Sequence, residues 1–138
     1  APLKLEAEFT FPYLAHAPME PLNATFQLAG ERATVWAGTQ FQTIDQQAIA
    51  QTLGLKPEQV TLHTMPAGGG FGRRAVPTSD YLREGAAIAK AWAGKGHKTP
   101  LKVMWSREDD IKGGYYRPAH VHRVEVGLDA QGAVTAWD

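Results

Sequence analysis

Between residues 33 and 105 the chain alternates strand, helix, strand, helix and strand, and this order constrains the fold more than any other feature. Residues 33–36 read as the first strand. Thr43 and Gln46 stand at the N-cap and N3 spacing of a capping box, with Ile44, Ala48, Ile49 and Leu53 on one helical stripe behind them. Gly54 ends that helix, Lys56-Pro57-Glu58 turns the chain, and Val60, Leu62 and Thr64 alternate with Thr61, His63 and Met65 as in a strand. Leu82, Ala86, Ala89 and Ala93 form the apolar face of a second helix, opened by Thr78 or Ser79 and closed near Gly94. Leu101, Val103 and Trp105 mark the third strand. If each helix is a crossover between parallel strands, all three strands point one way and their carboxyl ends share a sheet edge. Open sheets with helical crossovers bind ligands at that edge. The loops leaving it cover residues 38–42, 67–76 and 106–114, so Gln40, Phe71 with its glycines, and Arg107-Glu108-Asp109-Asp110 are expected to converge.

The flanking segments fit an α+β fold, a mixed β-sheet with two main helices in one domain spanning residues 1–138. Residues 3–9 read as a strand, and the Pro-rich stretch 12–21 fits neither regular helix nor central strand. Residues 25–28 and 33–36 flank Ala29-Gly30-Glu31-Arg32 as a hairpin, residues 120–128 form another strand, and Asp129-Ala130-Gln131-Gly132 turns into a last one at 134–137. Fourteen Lys+Arg balance fourteen Asp+Glu, which argues against a nucleic-acid footprint or an anionic-membrane patch. The absence of cysteine removes disulfides, thiolate zinc and iron–sulfur ligation within this chain, without fixing its compartment. No apolar run approaches the roughly 20 residues of a membrane helix, and the first residues lack a signal pattern. A start at Ala1 fits a processed product or a piece of a longer protein.

The sharpest local signal is Gly68-Gly69-Gly70-Phe71-Gly72, where backbone N–H groups can face a bound group with no Cβ in the way. It reads as a cradle for an oxygen-rich ligand such as an oxo group, a phosphate or a pterin, or else as a connector rich in left-handed conformations. It is not a Walker loop, since the Lys-Ser/Thr pair is missing. Arg73 and Arg74 are either donors to a phosphate or carboxylate or two solvated loop arginines. Gln40, just past a strand end, can orient a polar ligand. His120 and His122 share one strand face with Val124, Val126 and Leu128, which favours partly buried packing over metal binding. The spacing of His16 and Glu20 around Pro18-Met19 lets them meet in the Pro-rich turn, and structural hydrogen bonds explain the pair equally well. Ser79 and Ser106 lie in no nucleophile elbow. Glu108, Asp109 and Asp110 beside Arg107 and Lys112 read as a solvated salt-bridging loop.

Several of these segments together resemble one family, the molybdopterin-binding large subunits of the xanthine dehydrogenase and aldehyde oxidase group. The matching pieces are Leu14-Ala15-His16-Ala17-Pro18-Met19-Glu20-Pro21, Gly38-Thr39-Gln40, the strand at 60–65 running into Gly68-Gly69-Gly70-Phe71-Gly72 with the helix behind it, Val103-Met104-Trp105-Ser106-Arg107-Glu108-Asp109-Asp110, and Tyr116-Arg117-Pro118. The likeness runs from about Glu8 to the end. It implies that the Phe71 amide reaches an oxo ligand of molybdenum, that Gln40 lies at the metal as well, and that Gly68, Gly69, Gly70, Gly72 and Arg73 line the cofactor. Xanthine dehydrogenases continue the loop with Gly-Lys-Glu, whose Glu contacts the purine. Arg73-Arg74-Ala75 stands there instead, which speaks against a purine substrate and resembles the branch of isoquinoline 1-oxidoreductase beta subunits and membrane-bound aldehyde dehydrogenases. The resemblance further implies molybdopterin as the cytosine dinucleotide, an iron–sulfur small subunit with 2Fe-2S clusters, a cytochrome c subunit in some members, and a periplasmic or membrane-associated setting. The expected reaction is hydroxylation of a small aldehyde or N-heteroaromatic substrate with water-derived oxygen. The family's general-base glutamate has no counterpart in these 138 residues, so the chain alone is expected to be inactive. Two alternatives remain at this level, a non-catalytic subunit-interaction module and a phosphate or nucleotide binder built on the glycine loop.

Overall fold

Apolar residues at every second position bury one face of a four-stranded sheet against two helices. The computed structural model describes residues 1–138. The strands of this sheet are β2 (Asn23–Ala29), β3 (Arg32–Ala37), β4 (Val60–Thr64) and β5 (Leu101–Met104), in the order β4-β3-β2-β5; a further strand, β1 (Leu3–Phe11), precedes them. The hairpin β2–β3 turns at Gly30, whose φ of 58° suits glycine. β3 pairs in parallel with β4, and β2 runs antiparallel to both β3 and β5. Hence β3, β4 and β5 all point the same way, and the three following loops leave one edge, as the residue pattern predicts.

The helices α1 (Gln42–Leu53) and α2 (Asp80–Gly94) cover the face carrying Ala24, Phe26, Ala33, Val35, Ala37 and Val60. Ile49, Ala50, Leu82, Ala86 and Ala89 meet them from the helix side. Each large side chain buried there contributes about 1.5–3 kcal/mol. Small residues let α2 lie close to β2. At Gly85 a methyl group would stand 2.5 Å from Phe26 Cε2 and 2.6 Å from Cζ, in a ring that is fully buried. Gly85→Ala is therefore expected to destabilise by about 1–2 kcal/mol, overpacking outweighing alanine's better helix propensity. A urea midpoint that rises instead of falling would contradict this packing.

Two local details differ from the sequence reading. Phe41, not Thr43, is the N-cap of α1, and Gln46 uses its carboxamide to reach the Pro57 and Val60 carbonyls at 3.1 and 2.8 Å. The helix starts two residues earlier, and Thr39 Oγ1 accepts the Phe41 N–H at 3.0 Å just before it. Residues 106–114 are not an open loop. They contain a short helix, α3 (Arg107–Lys112), in which Ser106 and Asp109 form a reciprocal capping box, and Asp110 is buried against Arg107 at 3.2 Å instead of solvated.

Contacts divide the chain into two compact units, Ala15–Tyr115 and a second made of Ala1–Leu14 with Tyr116–Asp138. The second unit is an antiparallel sheet of β1, β6 (His120–Leu128) and β7 (Val134–Trp137), in the order β1-β6-β7. One face carries Leu3, Leu5, Phe9, Phe11, Val126 and Trp137, while the other pairs Lys4 with Glu125 and Arg123 with Glu8. His120 and His122 are exposed and packed on the Phe11 ring, not partly buried.

Candidate functional site

At the carboxyl edge of the four-stranded sheet, the segments after β3 and β4 close on each other. Gln40 N donates to the Arg74 carbonyl at 3.1 Å, and Arg74 N donates back to Gln40 Oε1 at 3.3 Å. This reciprocal pair holds an exposed carboxamide against the glycine loop. A methyl group on Gly70 would stand 2.6 Å from Gln40 Oε1, so only glycine leaves the carboxamide in place. Gln40, Gly70 and Phe71 thus converge, as the edge argument requires. Phe71 has φ of 52°, a left-handed conformation that costs a bulky residue on the order of 1–3 kcal/mol. Strain of this kind persists only where surrounding bonds impose it. The Arg73 amide donates to the Gly70 carbonyl at 2.9 Å, whereas the amides of Gly70 and Phe71 have no acceptor within the chain.

Gly68 anchors the start of the loop. Its N–H donates to Glu20 Oε2 at 2.7 Å, and its carbonyl accepts the Glu20 N–H at 3.1 Å. Asn23 Nδ2 donates to the other Glu20 oxygen at 2.7 Å. The Gly68 amide, followed by Asn23 and Arg74, holds the Glu20 carboxyl below the usual carboxylate range against the cost of its burial. Its contribution to stability is therefore present above the unfolded carboxyl value and is lost as pH falls through the lower folded value. The Pro-rich segment is in this way part of the site, and Arg107 Nη2 holds it from the far loop through the Met19 carbonyl at 2.7 Å.

Neither Arg73 nor Arg74 is a solvated loop residue; both side chains are about 2% exposed. Arg73 forms a two-pronged pair with Asp80, Nη1 to Oδ1 at 3.0 Å and Nη2 to Oδ2 at 2.7 Å, and its guanidinium lies 5.5 Å from the centre of the Trp105 ring. Arg74 donates through Nε to Gly69 O at 2.9 Å, through Nη1 to Gly38 O at 3.2 Å, and through Nη2 to Glu20 O and Oε2 at 3.2 and 3.1 Å. Both guanidinium groups are thus engaged inside the chain.

Beneath these loops lies a buried acid that the sequence reading passed over. Asp45, in the first turn of α1, accepts hydrogen bonds from the Thr39 hydroxyl and from Ser79 Oγ, the latter at 2.6 Å. It joins the starts of α1 and α2. Burial pushes its carboxyl up, the two hydroxyls oppose this, and the Asp80 charge adds to the rise. A raised folded value means that Asp45 favours the fold below its unfolded value and that this benefit is lost as pH climbs through the window above it. Asp45→Asn keeps hydrogen-bonding capacity and removes the titration. The variant's stability should fall less than wild type's between acidic and neutral pH, and an unchanged slope in urea unfolding across that range would contradict it. The signal was present in the sequence, because Asp45 shares a helix stripe with Ala48 and Ile49.

The resulting surface offers a neutral set of donors, two main-chain amides and one carboxamide, over a floor whose arginines are paired. No group of three His, Cys, Asp or Glu side chains is placed to hold a metal ion. Such a surface suits a ligand rich in oxygen that brings its own metal ligands. The whole chain, residues 1–138, matches the model of the molybdopterin cofactor-binding domain family. The chain belongs to that family. This molybdopterin-binding domain is similar to the isoquinoline 1-oxidoreductase subunit beta of Brevundimonas diminuta, 43% identical over 81% of this chain and 14% of the relative. It is also similar to the membrane-bound aldehyde dehydrogenase (pyrroloquinoline-quinone) of Gluconacetobacter polyoxogenes, 34% identical over 97% of this chain and 17% of the relative. Its fold matches quinoline 2-oxidoreductase from Pseudomonas putida 86, with a TM-score of 0.68 at 18% identity, covering 98% of this chain and 17% of that one. The domain thus spans about a sixth of the length of these proteins. The bare backbone at Gly70, the unpartnered Phe71 amide and the adjacent carboxamide fit a molybdenum-bearing pterin, whose own groups would ligate the metal.

Proposed function

We propose that this domain supplies part of the cofactor site of a molybdenum hydroxylase acting on a small aldehyde or N-heteroaromatic substrate. The observation that carries the reading is the placement of the Gln40 carboxamide on Gly70, next to a Phe71 amide that no acceptor in the chain uses. When bound, the cofactor supplies hydroxylation at carbon with oxygen taken from water. The Phe71 N–H and the Gln40 carboxamide would hold that group as fixed dipoles, set in place by the chain before reaction and therefore free of reorganisation cost. Gly68, Gly69, Gly70 and Gly72 allow the close backbone approach. Arg73 serves this site through its grip on Asp80, which holds the loop from behind.

In this reading the general base comes from a glutamate outside residues 1–138. The pterin is the cytosine dinucleotide, electrons leave through a partner subunit with 2Fe-2S clusters and in some assemblies a cytochrome c subunit, and the enzyme works in the periplasm or at a membrane. No helix of the chain is long and apolar enough to cross a membrane. The similarity to a membrane-bound aldehyde dehydrogenase supports the setting, and the Arg73-Arg74-Ala75 sequence after the loop supports a substrate other than a purine. A phosphate or nucleotide binder is less well supported, because the guanidinium groups it needs are already bonded to Asp80, Glu20 and main-chain carbonyls. Metal and pterin analysis of the full-length protein tests the proposal. Stoichiometric molybdenum with pterin is expected, while metal no higher than background would leave a non-catalytic interaction module.

A further inference from the structure

We infer that Arg74 is a positioning residue of the cofactor cradle, a role that rests on the cofactor reading above. Its guanidinium closes the glycine loop on itself: Nε reaches back five residues to the Gly69 carbonyl, so Gly70, Phe71 and Gly72 lie inside a ring shut by that bond. Nη1 holds Gly38, two residues before Gln40, and Nη2 holds Glu20, whose carboxylate receives the Gly68 amide and supplies the countercharge. One side chain thereby fixes three segments that are remote in sequence. The main chain of Arg74 completes the arrangement, because its N–H and carbonyl are the partners of Gln40 Oε1 and N. An exposed glutamine has several rotatable bonds, and where its carboxamide points follows from where the Arg74 backbone stands. The planar fork of a guanidinium can meet carbonyls in several directions at once, which a lysine ammonium on one flexible stem cannot.

Arg74 touches neither metal nor substrate in this account, and a purely structural ion pair would leave the cradle amides unaffected once the protein is folded. The test uses the full-length enzyme as Arg74→Gln and Arg74→Lys, with amide hydrogen exchange, molybdenum content and the Mo(V) electron paramagnetic resonance signal as readouts. Arg74→Gln should speed exchange at the bonded amides of Gly68, Gln40 and Arg73 by at least about tenfold while the core amides of β2 and α2 stay protected. It should also lower molybdenum per subunit and broaden or shift the Mo(V) signal. Arg74→Lys keeps the charge without the fork, so it should restore folding yield while recovering occupancy and signal only in part. Wild-type exchange at Gly68, Gln40 and Arg73 in folded Arg74→Gln, or full occupancy with an unaltered signal, would overturn the assignment. Absence of molybdenum from the wild-type protein would instead overturn the cofactor reading, and the exchange result would still decide whether Arg74 orders the loop.

Discussion

Asp80→Ala should cost the fold about 3–5 kcal/mol, the expected penalty for leaving a buried charge without its partner. Arg73 is 2% exposed, and Asp80 receives both of its terminal nitrogens, at 3.0 and 2.7 Å. Its third nitrogen, Nε, is buried without an acceptor, so Asp80 carries the pairing of this guanidinium. Gly114 closes the pocket from the far loop: a methyl group there would collide with Arg73 Nη2 and stand 2.9 Å from Asp80 Oδ2, at a φ of 77° that also favours glycine. The Asp80 side chain is 23% exposed, so water reaches part of the vacated place and the cost falls at the lower end of that range. Against a total stability of about 5–15 kcal/mol for a typical domain, the loss is large enough to unfold a sizeable fraction of the chain. Asp80→Asn keeps one acceptor and should lose less. Urea unfolding of the three proteins measures this, and a cost below about 1 kcal/mol for the alanine variant would show an exposed pair of the ordinary kind.

Gly70→Ala has the opposite profile, a lesion of the site with little change in stability. The added methyl meets only the end of the Gln40 side chain, at 2.6, 3.1 and 3.4 Å from Oε1, Cδ and Nε2. A carboxamide can rotate away, so the fold yields without moving its backbone, and the cost should stay within about 1 kcal/mol. What is lost is the hydrogen bond from Arg74 N and the direction of the carboxamide. Molybdenum content of the full-length enzyme should therefore fall several-fold while its melting temperature barely moves. Gly68→Ala provides the contrast, since its methyl would stand 2.5 Å from Glu20 Cβ and 3.4 Å from the Glu20 backbone nitrogen. There the main chain must shift, so stability and site should fail together. Wild-type occupancy in Gly70→Ala would mean that Gln40 takes no part in holding the cofactor.

The order and direction of β3, β4 and β5 were legible because apolar spacing changes from every second residue to the helical period and back, with glycine or proline at each boundary. That alone predicted Gln40 beside the glycine loop. The helix α3 was missed because six residues carry too little periodicity, although Ser106 and Asp109 stand at capping-box spacing. Partners remote in sequence left no local trace. Arg74 is bonded to Glu20, 54 residues away, and β1 pairs with β6 across most of the chain. Adjacent arginines after a glycine loop look the same in sequence whether they face solvent, a ligand or the protein interior. Their burial depends on Asp80, Trp105 and Gly114 arriving from other segments.

Anomalous scattering at the molybdenum absorption edge, in crystals of the full-length protein, decides whether the Phe71 amide and the Gln40 carboxamide face a bound molybdenum centre. One anomalous peak is expected beside Gly70 and Phe71, with the Gln40 carboxamide directed toward it. A peak at a site remote from this edge of the sheet, with Gln40 and Phe71 facing only solvent or other protein, would contradict it.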